Sequence, residues 1–304
     1  MPPKKPRYEI VVSAENNPYM AWQAMLFHYS CLTHTGQAPI VVVHGDMTKR
    51  LRGEYQTLQR HGGRIQRARN FRLHRGLDYA PRNTPATLRC VETDADYIVL
   101  CDPDMIFFGP APFDCYRPAE DQLSLDRISF MTVNDESRCH LSAACKRAGV
   151  SLNRLACDGI GGGVPHIVPL SLKSALSREW LRSIDFFFSS RIAPRFKSRT
   201  DEPASPFWIA SMWALILATY RLGLRPVMTD FALLNFRGDV THVPPAGCNS
   251  FLIHYSYGDS VFDKRVFFGD SKTCNKVWQV RPAKATISGR ICAEIAAARR
   301  FFGL

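Results

Sequence analysis

The sequence lacks several patterns that would assign it to a common class of protein. Its ten cysteines include no CxxC pair and no zinc-ligand spacing, which argues against zinc modules and thiol redox motifs. No apolar run reaches the roughly 18 residues of a membrane span, and the longest, "PFWIASMWALILATY", predicts a buried helix. The basic start "MPPKKPR" is not followed by the apolar segment of a secretory signal. We therefore expect an intracellular protein with reduced thiols and no membrane association.

Acidic residues are scarce relative to basic ones. The chain has 39 Lys and Arg against 27 Asp and Glu, which gives a net charge of +12. A charge of this size favours polyanionic partners, and a generally basic enzyme surface is the alternative.

Strand-like and helix-like segments alternate, which indicates an α/β fold with a mixed sheet flanked by helices. "YEIVVSA", "APIVVVHGD" and "DYIVLCD" are typical of buried strands, and "ISFMTVND" predicts a later one. No linker divides the chain. We expect a basic lead at 1–7, a single domain at 8–285 and a basic amphipathic helix at 286–304.

Two carboxylates stand where the strand "DYIVLCD" ends, in the segment "DPDMIF". Ligands of open α/β sheets bind beyond the carboxyl ends of strands, and Asp102 and Asp104 can share one hard cation, Mn²⁺ or Mg²⁺. An Asp-Pro-Asp turn is the alternative. A cation held in this way keeps open positions for a diphosphate, which suits sugar transfer from a nucleotide sugar. A nuclease or phosphatase would use similar groups.

Several motifs resemble those of a known family and occur in the same order along the chain. "PYMAWQ" is similar to P-Y-x-x-W-Q, "DPDMIF" to E-P-D-x-I-F, "DGIGGGVPHIV" to D-P-I-G-x-x-P with one residue added, and "HYSYGDSVFDK" to H-Y-x-Y-G followed by a lysine. Trp278 resembles a later tryptophan. The chain thus resembles the plant peptidyl hydroxyproline O-arabinosyltransferases and peptidyl serine α-galactosyltransferases. This resemblance implies a GT-A glycosyltransferase with a Rossmann-like mixed sheet.

The resemblance also implies roles for individual residues at the metal and the donor. Asp102, Asp104 and His254 would bind the metal, although the first aspartate is Glu in the plant pattern. Asp102 and Lys264 would meet the diphosphate of a UDP-sugar, and Tyr19 and Gln23 would border the nucleotide.

The glycine-rich segment is a further candidate for donor contact. Gly161 and Gly162 would let the backbone approach the donor closely, and a simple turn is the alternative. Ser211 stands where the plant enzymes carry a glutamate, so the role of that glutamate is not carried over.

The catalytic candidates depend on stereochemistry. The resemblance implies retention at the anomeric carbon, in which the leaving phosphate can take the proton of the acceptor. An inverting enzyme needs a carboxylate base, and the candidates are Asp158, Asp201 and Glu202. Asp158 precedes the glycine run and is our choice for contacting the sugar; a turn aspartate is the alternative.

The acceptor is the least determined part. The net charge and basic runs such as "RIQRARNFRLHR" favour DNA that carries a hydroxymethylated pyrimidine, as in phage-type or base-J-type glucosylation. A peptide hydroxyl, on hydroxyproline or serine, follows the resemblance more closely. A non-enzymatic nucleic-acid-binding protein is the alternative from another class. The oligomeric state and the sugar stay open.

Overall fold

The structure, a computed structural model, describes residues 5–128, 131–158, 161–188, 206–234, 250–256, 258, 260–281 and 286–304. Its strands alternate with helices along most of the chain. The strands are β1 (Tyr8–Glu15), β2 (Ile40–Gly45), β3 (Arg64–Arg69), β4 (Leu73–His74), β5 (Leu77–Asp78), β6 (Tyr97–Cys101), β7 (Met105–Phe107), β8 (Gln122–Arg127), β9 (Gly162–Pro169), β10 (Arg225–Thr229), β11 (Ala232–Leu234) and β12 (Leu252–His254). The helices are α1 (Pro18–Thr35), α2 (Gly53–Arg60), α3 (Asn83–Cys90), α4 (Asp135–Ala148), α5 (Leu152–Asp158), α6 (Lys173–Phe187), α7 (Pro206–Arg221), α8 (Ser271–Asn275) and α9 (Ile287–Phe302).

These elements form two compact units. Unit 1 contains Phe71–Leu100 and Asp114–Thr229 together with the N-terminal segment to Tyr8. Unit 2 contains Glu9–Asn70, Cys101–Phe113 and Asp230–Leu304.

Unit 2 begins with a parallel arrangement of strands and helices. β1 pairs with β2 and β2 with β3, both in parallel, with α1 and α2 as the connecting helices. Parallel neighbours require such crossover connections, which explains the βαβαβ order. The apolar residues Ile10, Val11 and Val12 of the first strand are all completely buried.

Helix α1 has clear start and stop signals. The side chain of Asn17 accepts from the backbone amide of Met20 at 2.8 Å, and Pro18 occupies the first turn, where its missing N–H costs nothing. The helix ends at Gly36, whose φ of 71° is left-handed and therefore favours glycine.

Unit 2 also contains a three-stranded sheet in the order β11-β12-β7. β11 and β12 are parallel, whereas β12 and β7 are antiparallel with Ile253 opposite Ile106. All of the residues of β7 and β12 are buried, including His254 at the end of β12. The pairing of these short strands determines the positions of the residues at their ends.

Unit 1 contains a mixed arrangement of parallel and antiparallel strands. Its strand order is β10-β8-β9-β6, in which β10 and β8 are parallel and the other two pairs are antiparallel. Helices α3, α6 and α7 pack together, and the indole of Trp180 donates to the carbonyl of Ser211 at 2.7 Å. The predicted mixed α/β architecture with flanking helices is confirmed.

The long apolar segment is α7, and its residues from Ala214 to Ala218 are buried as the sequence predicts. Among the helices in the described ranges, none combines the length and apolar character that a membrane-crossing helix requires.

Candidate metal centre

The candidate metal ligands come together because two short strands pair. Asp104 immediately precedes β7, and His254 is the last residue of β12, where it lies opposite Met105. The amide of Tyr255 donates to the carbonyl of Asp104 at 2.9 Å, which extends the pairing past the strand ends. Two residues 150 positions apart in sequence are therefore neighbours in space.

Asp102, Asp104 and His254 form a cluster in which one ligand atom of each lies within 4.8 Å of the others. His254 Nε2 lies 3.4 Å from Asp104 Oδ1. Ligand atoms held about 2.0–2.6 Å from one cation are at most about 5 Å apart, so the spacing fits a single divalent ion. Two carboxylates and an imidazole are a donor set suited to Mn²⁺ or Mg²⁺.

Burial strengthens the repulsion between the two carboxylates of this cluster. Asp104 and His254 are only 8 % and 9 % exposed. Burial and the charge of Asp104 raise the pKa of Asp102 to about 6. The Nδ1 atom of His254 is buried and has no hydrogen-bond partner within the described ranges. A cation would relieve the repulsion between the two carboxylates, and the residues present therefore fit a metal.

Asp104 and His254 stabilise each other's charged forms. Burial alone would raise the pKa of Asp104, but attraction by Lys264 and His254 and their hydrogen bonds hold it well below its usual range. Burial alone would lower the pKa of His254, but the carboxylates of Asp104 and Asp102 outweigh it and raise that pKa. Asp104 is thus the strongly charged member of the pair of aspartates.

Lys264 reaches the same carboxylate from the other side. Its ammonium forms an ion pair with Asp104 Oδ2. Lys264 begins a 3-10 turn, which Asp263 caps by accepting from the amide of Arg265 at 2.8 Å. Gly258 forms a bridge with Asp263, and an added Cβ at Gly258 would lie 2.2 Å from the Asp263 Cα atom. The glycine of "HYSYG" therefore permits the close chain approach that seats Lys264.

The predicted nucleotide neighbours Tyr19 and Gln23 differ in their exposure. Tyr19 is half-buried in the first turn of α1, and its pKa is raised by burial and by the nearby charges of Asp104 and Asp263. Gln23 is 1 % exposed, and its amide donates to the carbonyl of Tyr19 at 2.9 Å. Tyr19 is therefore close to the metal cluster, whereas Gln23 supports the backbone of α1; a nucleotide contact by either stays a prediction.

The remaining predicted residues lie in unit 1 or outside the described residues. Asp158 is exposed at the end of α5, accepts a hydrogen bond from the hydroxyl of Tyr220, and lies 3.6 Å from Arg154. Gly161 and Gly162 are buried. Asp201 and Glu202 lie outside the described residues. Their roles at the sugar or as a base stay predictions.

Two features of the centre were not found from the sequence. Lys264 was assigned to a diphosphate, but its contact with Asp104 depends on the folded chain and leaves no local pattern. Phe268 is 72 % exposed and packs edge-on against Tyr19 with ring centroids 5.1 Å apart. An exposed aromatic beside a polar cluster is a signal that only the structure provides.

Comparisons of the sequence with known families and proteins found no match. No family model matches the chain. No curated protein matches it by sequence.

Solved structures do match. An active-site mutant of LgtC has a TM-score of 0.53 at 12% identity, with 95% of each chain covered. The galactosyltransferase LgtC in complex with donor and acceptor sugar analogs has a TM-score of 0.49 at 13% identity and the same coverage. The bifunctional glycosyltransferase WbbM has a TM-score of 0.49 at 13% identity; 97% of this chain is covered, but the chain spans only half of WbbM.

The likeness to the LgtC mutant shows that the chain has the mixed α/β fold of the GT-A glycosyltransferases. The predicted GT-A fold is confirmed. At such low identity the likeness concerns the fold, and the chemistry depends on the residues of the centre.

Proposed function

We propose that this protein is a metal-dependent glycosyltransferase that transfers a sugar from a UDP-sugar to a hydroxyl group with retention. The observation that carries the proposal is the largely buried cluster of Asp102, Asp104 and His254 in a chain with the GT-A fold. A protein that only bound nucleic acid would have no need of this cluster, which disfavours the non-enzymatic alternative.

Some residues of the centre would bind the metal, and others would bind the donor. Asp102, Asp104 and His254 would hold Mn²⁺ or Mg²⁺, which when bound supplies Lewis-acid neutralisation of the departing diphosphate. Lys264 would contact that diphosphate, and Tyr19 would border the nucleotide from α1.

The resemblance to retaining enzymes supports a reaction in which the leaving phosphate accepts the proton of the acceptor. No protein base is required for that step. Asp158, Gly161 and Gly162 are proposed at the sugar, and Asp158, Asp201 and Glu202 are the bases to examine if the product is inverted.

Removal of one metal ligand tests the proposal. Asp104→Asn keeps the shape of the side chain but removes the charge, and we expect Mn²⁺-dependent release of UDP from UDP-sugars to fall by about 100-fold or more. Asp121→Asn is the matched control because Asp121 is exposed and pairs with Arg225 at the surface. Metal-dependent release that survives in Asp104→Asn would show that the metal centre is assigned wrongly.

For the acceptor we propose a hydroxymethylated pyrimidine in DNA. The support is the net charge of +12 and a set of exposed basic residues in unit 2. Arg50 and Arg60 donate to the neutral side chains of Gln56 and Thr57, whereas Arg64 is bound to both oxygens of Glu9. Because their partners carry no charge, Arg50 and Arg60 are better placed than Arg64 to bind phosphate. Reaching the base would require flipping it out of the duplex.

A label-transfer assay distinguishes the acceptors. Radiolabelled UDP-glucose, UDP-galactose and UDP-arabinofuranose would be incubated with hydroxymethylated DNA, with unmodified DNA, and with peptides that contain serine or hydroxyproline. We expect label on hydroxymethylated DNA and a steep loss of transfer between about 50 and 200 mM salt. Label on peptide alone would establish the second candidate, which the family resemblance favours.

A further inference from the structure

Asp104 has a partner on each of its carboxylate oxygens. Oδ1 faces Nε2 of His254, and Oδ2 is occupied by the ammonium of Lys264. The side chains of Lys264 and Asp104 are only 15% and 11% exposed. Little water therefore screens the pair, and the lysine is paired with one of the two oxygens that Asp104 could offer to a metal.

A divalent cation and this ammonium would compete for the same carboxylate. Both are positive and both would lie against the same carboxylate, where the partly buried surroundings make their repulsion strong. A buried carboxylate without a partner is costly, so Lys264 stabilises Asp104 while the cation is absent. Binding of the cation should therefore weaken the contact between Lys264 and Asp104.

A nucleotide diphosphate gives the displaced lysine a new partner. Lysine is a flexible point charge that binds phosphate oxygens well. The backbone beneath it is held in place: Phe262 is 3% exposed, its ring stacks on Phe267, and Phe267 packs against Trp22. The side chain of Lys264 can therefore change partners while its turn stays in position.

We propose that Lys264 is a positioning residue that couples the binding of the metal to the binding of the nucleotide. In the free protein it neutralises Asp104 and weakens the affinity for the cation. When the diphosphate arrives it leaves Asp104 and pairs with phosphate, so that metal and nucleotide bind together. The inference rests on the proposed function, because it requires both ligands at this centre.

The test measures Mn²⁺ affinity directly, from the electron paramagnetic resonance signal of free Mn²⁺, with and without UDP. Lys264→Met keeps an unbranched side chain of similar length and removes the charge. We expect Lys264→Met to bind Mn²⁺ alone about tenfold more tightly than the wild type, because the competing charge is gone. UDP should then improve Mn²⁺ affinity about tenfold less than in the wild type, because no competing ammonium remains for the diphosphate to draw away.

The control is Lys272→Met, which removes the same charge from an exposed residue at the start of α8. It should behave as the wild type does. Lys264→Gln is a second variant with the same expectation, for use if Lys264→Met does not fold. Equal or weaker Mn²⁺ binding by the Lys264 variants without UDP would overturn the inference and leave the proposed function standing. Absence of Mn²⁺ binding in every protein, with and without UDP, would overturn both.

Discussion

At the scale of single residues, the glycine run shows how a missing side chain can serve packing. A Cβ added to Gly161 would lie 2.6 Å from the carbonyl oxygen of Met131 and 2.8 Å from that of Ile128. A Cβ added to Gly163 would lie 1.9 Å from the Ile128 side chain. The backbone at Gly161 thus approaches other backbone of unit 1 closely. This packing explains the glycine without a ligand, although a donor contact remains a prediction.

Replacement of Gly161 separates the two explanations. We expect Gly161→Ala to lower the free energy of unfolding in urea by about 1–3 kcal/mol, because its methyl group would collide with rigid backbone. Gly53→Ala is the control: Gly53 begins α2, and an added Cβ meets nothing within 4 Å. That change should be neutral or stabilising. Loss of UDP release at unchanged stability in Gly161→Ala would instead support a role at the donor.

At the scale of elements, strongly patterned segments could be predicted from the sequence. "YEIVVSA" forms β1, the segment from Pro18 forms α1, and "DYIVLCD" contains β6. In each case a continuous apolar run or a clear cap outweighs the other signals. The position of Asp102 and Asp104 after β6 followed from the same reasoning.

The strand predicted at "ISFMTVND" is wrong for the residues of this segment that the structure describes: Ile128 and residues 131–134 lie in no strand, and residues 129 and 130 lie outside the described residues. The strand of this region is β8, which ends at Arg127, and α4 starts at Asp135. Asn134 accepts from the amide of Ser137 and begins that helix with a capping box. β8 contains the polar residues Ser124 and Asp126, which are buried because β9 and β10 pair on either side. Pairing partners of this kind cannot be read from a local pattern.

The metal centre itself was only partly predictable for the same reason. β7 and β12 are three residues each, too short for a periodic signal, yet their pairing brings His254 to Asp104. Family motifs indicated His254, but the contact between Lys264 and Asp104 arises from the Gly258 bridge and its turn. Short strands and tight turns are determined by tertiary contacts rather than by propensity.

At the scale of the whole molecule, the net charge is +12, but ion pairs occupy some of the basic side chains that contribute to it. Arg64 is bound to the buried Glu9, Arg82 to Asp185, and Arg7 to Asp94. Several arginines of the basic runs therefore have structural partners, and the basic surface available to a polyanion is smaller than the sequence indicates. The charge nevertheless grows as the pH falls and histidines gain protons.

Each unit contains a buried histidine that resists this protonation. His166 of β9 in unit 1 has its pKa lowered to about 3 by burial. His44 of β2 in unit 2 has its pKa lowered to about 4 by burial, although its Nδ1 donates to the carbonyl of Arg69 at 3.0 Å. In the unfolded chain both titrate near 6.5. At these two histidines the unfolded state thus binds more protons than the folded state below that pH.

Stability should therefore fall as the solution is acidified. Above about pH 6.5 both histidines are neutral in the folded and the unfolded state, and their contribution to the free energy of unfolding is complete. As the pH falls, this contribution is lost toward pH 4 for His44 and toward pH 3 for His166. The loss is up to about 1.4 kcal/mol per pH unit for each histidine. Urea unfolding at pH 7.5 and 5.0 measures the loss, and His44→Gln and His166→Gln should each reduce the pH slope. Because salt screens surface repulsion but not burial, the loss should persist in 0.5 M NaCl. A slope that both variants leave unchanged would assign the acid sensitivity to net charge instead.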